Sequence, residues 1–322
     1  MSIEKLIKLA GERDVPSAEG TRRARLAAEA AWQRAVAQAG HESPRRKHLT
    51  VIALALAACA AGVALFLLRR PAEVTPSLAA NVVAVTGDVQ LRLGTAELPV
   101  SSAQPVYTGS TIATANGRLA LALGALSLRL DRDTALRIES AGRVALLHGS
   151  IYVDSGGLNM AATLSIATPA GDVRHVGTQF QVTVQGDSTR VRVREGRVLL
   201  IPAAGGASQD LATGDELEIR GDQATWRRGL PSFGPEWDWS AGLAPTLDIE
   251  NRPLAEFLVW MAREHGWQLR FADEASQGRV RDIRLHGSFD GLSTADMLER
   301  VTLVTGVAVE ENDGVLWVGR KP

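Results

Sequence analysis

Histidine and cysteine are the side chains most often used for metal binding and nucleophilic catalysis, and the sequence has six histidines and one cysteine. A metal site or a catalytic dyad needs such residues in groups, because several of them must meet at one point. The histidines are instead dispersed, at positions 41, 48, 148, 175, 265 and 286, and none has a partner at the spacing of metal ligands. The distribution predicts no metal site and no cofactor.

Short motifs that carry catalysis are also absent. The sequence has no Gly-x-Ser-x-Gly elbow, no phosphate-binding loop and no dinucleotide fingerprint. Asp131 and Asp133 could be offered as a metal site, but they fall where a strand pattern ends, so we interpret them as turn residues. His175 lies in a strand pattern, where a structural or solvated role is typical. We predict that the protein is not an enzyme, although residues distant in sequence could still converge in space.

Residues 49–68 form an uncharged apolar run with basic residues on both sides, at 45–47 and 69–70. A helix of this length just spans a bilayer core of about 30 Å. One alternative to a membrane span is that the run forms a helix buried in the core of a soluble domain. Residues 56–59, Leu-Ala-Ala-Cys, resemble the cleavage box of a bacterial lipoprotein, but the apolar run continues past them and the preceding extension is long for a signal region. The pattern predicts one transmembrane helix over 49–68.

The distribution of charge predicts how this helix is oriented. Residues 1–48 carry ten Lys and Arg against six Asp and Glu, whereas residues 71–322 carry 23 against 30. Basic residues near a span favour the cytoplasmic side. We therefore expect a protein of the bacterial inner membrane, with a cytoplasmic arm (1–48), a linker (69–80) and periplasmic domains after it.

The arm contains two stretches with helical spacing, and the second begins at a Ser17 cap. Its larger apolar side chains are Leu26, Trp32 and Val36. Two short helices cannot enclose a core of their own, so they need a partner or the membrane surface to bury an apolar face. One hypothesis is that these three residues dock in a groove of a cytosolic protein. The other is a solvated, partly disordered basic tail.

Residues 81–228 have the pattern of a β domain, with many short apolar runs separated by Gly-rich or Asp-rich turns. The absence of helical patterns between the runs argues against a βαβ arrangement and favours a mainly β fold, either a β-solenoid or a jelly-roll-like sandwich. Residues 167–200 are predicted as three short strands, with turns or bulges at 186–187 and 195–196. The alternating arginines at 190, 192 and 194 either form a solvated face or dock against the acidic neighbouring domain.

Several separated groups of residues stand out in this stretch: Thr168-Pro169, Val173-Arg174, Gly177-Thr178-Gln179-Phe180 and Val193-Arg194-Glu195-Gly196-Arg197-Val198. Together they resemble the central signature of the FecR domain. FecR domains occur in sensor-regulators of iron-dicitrate type signalling. The resemblance implies structural signature positions at Gly177, Thr178, Phe180, Glu195 and Gly196. It also implies that the arm binds an extracytoplasmic-function sigma factor, with Leu26, Trp32 and Val36 as candidate contacts.

Residues 229–245 are rich in Trp, Pro and Gly and are predicted to be a connector that its tryptophans pack down. Residues 246–320 then follow a β-α-β-β-α-β-β pattern. The first helix is predicted between an Asn251 cap and Gly266, and the second between a Ser293-x-x-Asp296 capping box and Gly306. The predicted strands are 247–249, 268–271, 283–285, 307–309 and 315–318.

This small α+β module contains Leu247-Asp248-Ile249, Pro253-Leu254-Ala255, Gly266, Leu285-x-Gly287 and Thr305-Gly306-Val307. With these residues it resembles the short N-terminal (STN) domain of secretins and TonB-dependent receptors. Such modules are protein-protein adaptors, and an exposed sheet edge is a natural docking strand. The resemblance implies a periplasmic partner, either a receptor domain or another envelope protein.

These expectations combine into a single-pass regulator that relays an envelope signal to a sigma factor. Regulated proteolysis is the expected route, because one helix cannot easily carry a shape change across lipid. The alternative is a membrane-tethered periplasmic scaffold with no transcriptional role. A third class, an envelope hydrolase, predicts activity on cell-wall substrates, and we expect none. No direct nucleic-acid partner is expected, because the arginines at 22, 23 and 25 come without a recognition-helix pattern.

Overall fold

The residues that the computed structural model describes are 18–38, 76–156, 164–245 and 247–319. The chain divides into two compact units, Met1–Thr75 and Pro76–Pro322. The membrane helix predicted over 49–68 lies outside the described residues. Within the described ranges, no helix is both long enough and apolar enough to cross a membrane.

In the first unit the structure describes one helix, α1, Ala18–Gln38. It begins directly after the predicted cap, and its many Ala, Arg, Glu and Gln residues are good helix formers. The spacing of residues in the arm therefore predicted this helix correctly. The other helical stretch of the arm lies outside the described residues.

The second unit opens with fifteen strands that join in one hydrogen-bonded sheet. From β1 to β15 they are Leu78–Thr86, Val89–Leu93, Ala96–Pro99, Pro105–Tyr107, Thr111–Thr114, Arg118–Leu123, Leu126–Leu130, Thr134–Ser140, Arg143–Asp154, Ser165–Thr168, Gly171–Gln185, Ser188–Pro202, Gln209–Ala212, Glu216–Arg220 and Gln223–Arg227. Their inward side chains build one core of Leu, Ile and Val around Phe180. The mainly β fold predicted for this region is confirmed.

The pairing of these strands excludes one of the two predicted β architectures. Adjacent strands pair antiparallel, except for β9 and β10, which run parallel with Ser165 opposite Arg143. A β-solenoid stacks similar coils on one another and repeats the same parallel pairing along its length. The solenoid interpretation is therefore wrong, and an antiparallel sheet wrapped around one core replaces it.

The stretch 167–200 differs from the prediction of three short strands. Strands β11 and β12 are 15 residues long each. A two-residue turn at 186–187 joins them, because Gln185 pairs with Ser188. The second predicted break, at 195–196, is a bulge that lets the ladder continue, so one long strand replaces two short ones.

A short helix and a small α+β module complete the second unit. In chain order the elements are α2 Pro235–Ala241, β16 Arg252–Pro253, α3 Leu254–His265, β17 Gln268–Phe271, α4 Glu274–Asp282, β18 Arg284–Leu285, α5 Thr294–Thr305, β19 Val309–Asn312 and β20 Val315–Val318. Trp237 of α2 is buried, as the connector prediction required. Helices α3 and α5 end at the predicted glycines, Gly266 and Gly306, both in the left-handed conformation.

Three details of the module correct the sequence prediction. Residues 247–249 are not a strand; Ile249 is buried without strand pairing, and pairing begins at β16. Asn251 does not cap α3, because it adopts a φ of 56° and Pro253 occupies the cap position. Helix α4 was missed because Val280 is its one buried side chain, although the Asp273 carboxylate caps it by accepting from Ser276 N at 2.7 Å.

Candidate functional site

Two glycines of the FecR-like signature build a bulge across β11 and β12. Gly177 has a φ of 57° and Gly196 a φ of 87°, which L side chains rarely adopt. A Cβ on Gly196 would lie 2.5 Å from the Gly177 carbonyl oxygen, so a larger residue does not fit there. The register between the strands slips on either side of Gln179. Glycine is therefore required here for a specific departure from regular pairing.

Neighbouring side chains hold this bulge in place. The backbone of Thr178 is fixed by Ser155, which accepts from Thr178 N at 2.8 Å and donates its own N–H to Thr178 O at 3.1 Å. Phe180 anchors the next position in the core, where it is fully buried. The signature residues thus set the backbone geometry midway along β11 and β12.

The bulge brings three polar side chains against the C-terminal end of α3. Gln179 Nε2 donates to the carbonyl of Arg263 at 3.4 Å, and Glu195 Oε2 lies 2.9 Å from Arg263 Nη1. Arg194 Nη1 donates to the carbonyl of Glu264 at 3.0 Å. The signature is therefore part of the contact between the sheet and the C-terminal module. We call this contact the junction; its other members are described below.

A buried ion pair lies at the junction. Arg129 Nη1 of β7 is 2.8 Å from Glu264 Oε2 of α3, with side chains 0% and 7% exposed. The same Nη1 donates to the carbonyl of Ser240 at the end of α2, also at 2.8 Å. Removing one member of such a pair leaves an uncompensated charge in a medium that solvates it poorly, so both members are needed together.

Asp154 and Arg263 form a second pair across the junction. Burial alone would raise the pKa of Asp154, but the Arg263 guanidinium and the hydrogen bonds from Gln179, Arg263 and Gly156 N together outweigh this effect. The net effect holds the pKa of this carboxyl below its usual value. Asp154 is therefore ionised at neutral pH and attracts α3 toward the sheet.

Two aromatic rings lie among the charges of the junction. Tyr152 and Trp237 meet edge to face at a centroid distance of 6.1 Å. The Arg194 guanidinium lies 5.1 Å from the Trp237 ring centre, and that of Arg129 lies 5.2 Å from the Tyr152 ring centre. Burial raises the pKa of Tyr152 to about 12, so its hydroxyl stays protonated and accepts from Arg194 at 3.2 Å. Stacking of guanidinium groups on rings partly replaces their lost hydration.

The arginines at 190, 192 and 194 were predicted either as a solvated face or as a docking row. Arg194 is almost fully buried and also donates from Nε to Ser232 O at 2.6 Å. Arg192 pairs with Glu216 at 2.6 Å and with Glu236 of α2 at 3.3 Å. The solvated interpretation is therefore wrong for these two residues. Docking against the C-terminal module is correct for Arg194, whereas Arg192 contacts its own sheet and helix α2 of the connector.

The predicted sigma-factor contacts lie on α1. Leu26, Trp32 and Val36 are 58%, 63% and 54% exposed. Residues of an α-helix follow each other at about 100° intervals, so Trp32 and Val36 share a face while Leu26 lies about 80° from Val36. Trp32 and Val36 therefore form a close pair on one face of α1, and Leu26 lies to the side of that face.

The residues considered for metal binding and catalysis have structural roles. Asp131 pairs with Arg118 at 2.7 Å, and Asp133 occupies a turn with a φ of 50°. His175 is buried and accepts from Leu164 N at 3.2 Å through Nε2, and burial lowers the pKa of its imidazole. In the part of the chain that the structure describes, no three His, Cys, Asp or Glu residues are grouped as metal ligands would be.

A cleft of about 600 Å³ lies between α2, α3 and the loop before α5. Its walls include the rings of Phe257, Trp260, His265, Trp267 and Phe289. Three of these rings lie on α3 and Trp267 follows it after Gly266, but helical spacing there predicted only core positions. The sequence does not show that Phe289 lies opposite them.

The family model described as FecR protein matches residues 110–199. The resemblance noticed in the signature is therefore confirmed for this part of the β sheet. Two crystal structures of a proposed anti-sigma factor from Parabacteroides distasonis ATCC 8503 are similar to this chain, each with a TM-score of 0.34. They share 15% and 14% identity with it and cover 66% and 65% of this chain and 99% and 97% of theirs. No curated protein matches the chain.

Proposed function

We propose that this FecR-domain protein is a single-pass inner-membrane regulator of an extracytoplasmic-function sigma factor. In this proposal the arm, residues 1–48, binds the sigma factor in the cytoplasm, and residues 49–68 cross the membrane. The FecR-like sheet and the C-terminal module then lie in the periplasm. The observation that carries the proposal is the FecR match over 110–199 in a chain that also has a basic arm and an apolar run before it.

The described part of the arm has the chemistry of a peptide that docks on another protein. Helix α1 presents Trp32 and Val36 on one exposed face. Over Ala18–Gln38 it carries four arginines and two glutamates, a net charge of +2. An exposed tryptophan beside an aliphatic residue can anchor a helix in an apolar groove, and basic neighbours favour an acidic partner surface.

The junction supports a role for the C-terminal module as a receiver of signals. Separating the module from the sheet would expose or unpair Arg129, Glu264 and Asp154, and breaking one buried pair typically costs about 3–5 kcal/mol. We propose that the module is an STN-like adaptor for a receptor domain or another envelope protein. A partner bound to this module would then act on the FecR-like sheet as well, because the junction resists their separation.

The proposed output is release of the sigma factor or a change in its activity. Because one helix has no second element against which to shift, regulated proteolysis of the membrane segment is the proposed route. No step of this mechanism requires catalysis by the chain itself, and we propose that it is not an enzyme.

The test uses the native host. Immobilised residues 1–48 should retain a sigma factor identified by mass spectrometry, and deleting those residues from the full chain should change transcription from that sigma factor's promoters. Failure of both experiments would refute the proposal.

A scaffold without a transcriptional role is the second candidate. Leu303 and Val304, at the end of α5, are 75% and 77% exposed and form an apolar surface on the module. A scaffold predicts that deletion of the arm leaves sigma-dependent transcription unchanged while envelope partners still co-purify with the chain.

A further inference from the structure

The cleft between α2, α3 and the loop before α5 shares Glu264 with the junction, but none of its other lining residues makes a junction contact described above. Two groups of rings line it. Phe257 lies 4.7 Å from Phe289 and 5.9 Å from Trp260 between ring centres, while His265 stacks on Trp267 at 4.3 Å. A volume of about 600 Å³ is enough for one or two side chains of a bound peptide.

The charges of the cleft are negative. Three carboxylates line it, those of Asp238, Glu264 and Asp290, and its lining includes no Lys or Arg. Glu264 is neutralised by Arg129. Asp238 and Asp290 are exposed, and neither forms an ion pair with a described residue. Two carboxylates therefore remain to face a ligand.

The histidine of the cleft does not offset this charge. Burial lowers the pKa of His265 to about 4, an effect that the nearby Arg194 increases and Asp238 opposes. The ring is therefore neutral at pH 7, where its Nε2 lies 3.2 Å from the Thr294 hydroxyl. Neutral rings and free carboxylates together attract a cation and disfavour an anion.

We propose that this cleft captures an arginine or lysine side chain of a partner protein, presented between apolar residues. The rings would stack on the cation and hold the apolar neighbours, while Asp238 and Asp290 would pair with its charge. The inference deepens the proposed function, in which this module receives an envelope partner, and it assigns the partner's chemistry. A neutral apolar segment would fill the same volume but leave both carboxylates without a counter-charge.

The test measures peptide binding to the purified full chain by calorimetry. The probe is acetyl-Leu-Arg-Leu-amide, and its matched control replaces arginine with citrulline, which has nearly the same shape and no charge. We expect saturable binding of the arginine peptide, roughly tenfold tighter than that of the citrulline peptide, because a cation near rings and carboxylates gains about that much. Added salt should reduce the difference in affinity between the two peptides, because it screens the charge of the arginine.

Two charge-matched variants locate the site. Asp238→Asn with Asp290→Asn should weaken arginine-peptide binding roughly fivefold or more, as expected for lost charge-assisted contacts. Asp187→Asn with Asp222→Asn removes the same charge from exposed residues outside the cleft lining and should leave binding unchanged. The inference is overturned by the absence of saturable binding, by equal affinity for the two peptides, or by equal weakening in both variants.

The same preparation separates this inference from the proposed function. Sigma-factor binding depends on the arm and peptide binding on the cleft, so each is measured on the same full chain. A chain that binds the sigma factor and not the arginine peptide overturns the cleft assignment alone. A chain that binds the peptide and no sigma factor refutes the transcriptional role and keeps the cleft.

Discussion

Arg129 Nη1 lies 2.8 Å from Glu264 Oε2, in a buried ion pair that joins strand β7 of the FecR-like sheet to helix α3 of the C-terminal module. With Asp154–Arg263 and the arginine at 194, it makes the junction a network of buried charges rather than an apolar seam. Such a contact is specific in geometry, because each charge must find its partner when the module docks.

Replacing Arg129 with methionine should destabilise the second unit by about 3–5 kcal/mol, because Glu264 is then left buried without a counter-charge. Urea unfolding of the full chain, followed by tryptophan fluorescence, measures the loss. Replacing both residues, Arg129→Met with Glu264→Met, should recover much of it, since an apolar pair no longer needs a counter-charge.

The control is Arg92→Met. Arg92 pairs with Glu97 at 3.2 Å, but the two side chains are 62% and 53% exposed, so this loss should be at most about 1 kcal/mol. Equal effects of the two single substitutions would contradict a special role for the buried pair.

Gly266→Ala tests the fit of α3 against the junction. Gly266 ends α3 with a φ of 71°, and a Cβ there would lie 2.0 Å from Ser232 O and 2.5 Å from Arg194 Nε. We expect the free energy of unfolding to fall by well over the roughly 1 kcal/mol that a left-handed alanine costs. The extra loss arises because Ser232 and Arg194 must both move away from the new Cβ. Thermal unfolding of the full chain measures it.

Gly306 provides the matched control for this substitution. It ends α5 in the same left-handed conformation, with a φ of 65°, and a Cβ at this position would meet nothing within 4 Å. Gly306→Ala should therefore cost only the conformational term, about 1 kcal/mol. If the two alanine variants lose equal stability, the close packing at Gly266 is unimportant.

Local patterns in the sequence correctly predicted features that depend only on residues close together in the chain, such as the ends of a helix. The capping box at Ser293 and the stop at Gly306 define α5 because both act within one turn of the helix. For residues 195–196 the sequence predicted either a turn or a bulge. It could not distinguish them, because it does not show that Gly177 of the opposite strand lies against Gly196. The solenoid was a wrong alternative because strand spacing carries no information about whether neighbours run parallel or antiparallel.

The junction could not be predicted from the sequence. Arg129 and Glu264 are far apart in the chain, and each alone resembles an ordinary surface residue, because charged side chains are rarely buried without a partner. The alternating arginines were one usable signal, and the docking interpretation is correct for Arg194, which contacts α3. The cleft left no signal, because the sequence does not show that α2 and Phe289 lie opposite the rings of α3.

The stability of the module should fall as the pH is lowered from about 6.5 to about 4. The pKa of folded His265 is about 4, below its ordinary value of 6.5, because burial favours the neutral ring. In this window the unfolded chain binds a proton that the folded chain does not, so the free energy of unfolding decreases as pH falls, by at most about 3 kcal/mol.

His265→Gln removes the imidazole that binds this proton in the unfolded chain. The free energy of unfolding should therefore depend less on pH between 6.5 and 4. His148→Gln is the comparison, because His148 is an exposed histidine with a side chain 53% accessible. Urea titrations at half-unit pH steps give both curves. A His265→Gln curve parallel to that of the unmodified chain would show that this imidazole does not contribute.

The proposed regulatory role depends on the arm as a sigma-factor ligand. Trp32 and Val36 lie four residues apart on the exposed face of α1, so replacing both with alanine removes the proposed anchor without touching a core. Leu98→Ala is the matched control, since Leu98 is an exposed leucine of the second unit.

The most direct measurement is the amount of sigma factor that co-purifies with the full chain from native membranes, quantified by mass spectrometry. We expect a stoichiometric complex with the unmodified chain and with Leu98→Ala, and at least a roughly tenfold loss with Trp32→Ala and Val36→Ala together, as expected for a buried aromatic anchor. A sigma factor that is absent from all three preparations, or retained equally by all three, would contradict the proposed role of the arm.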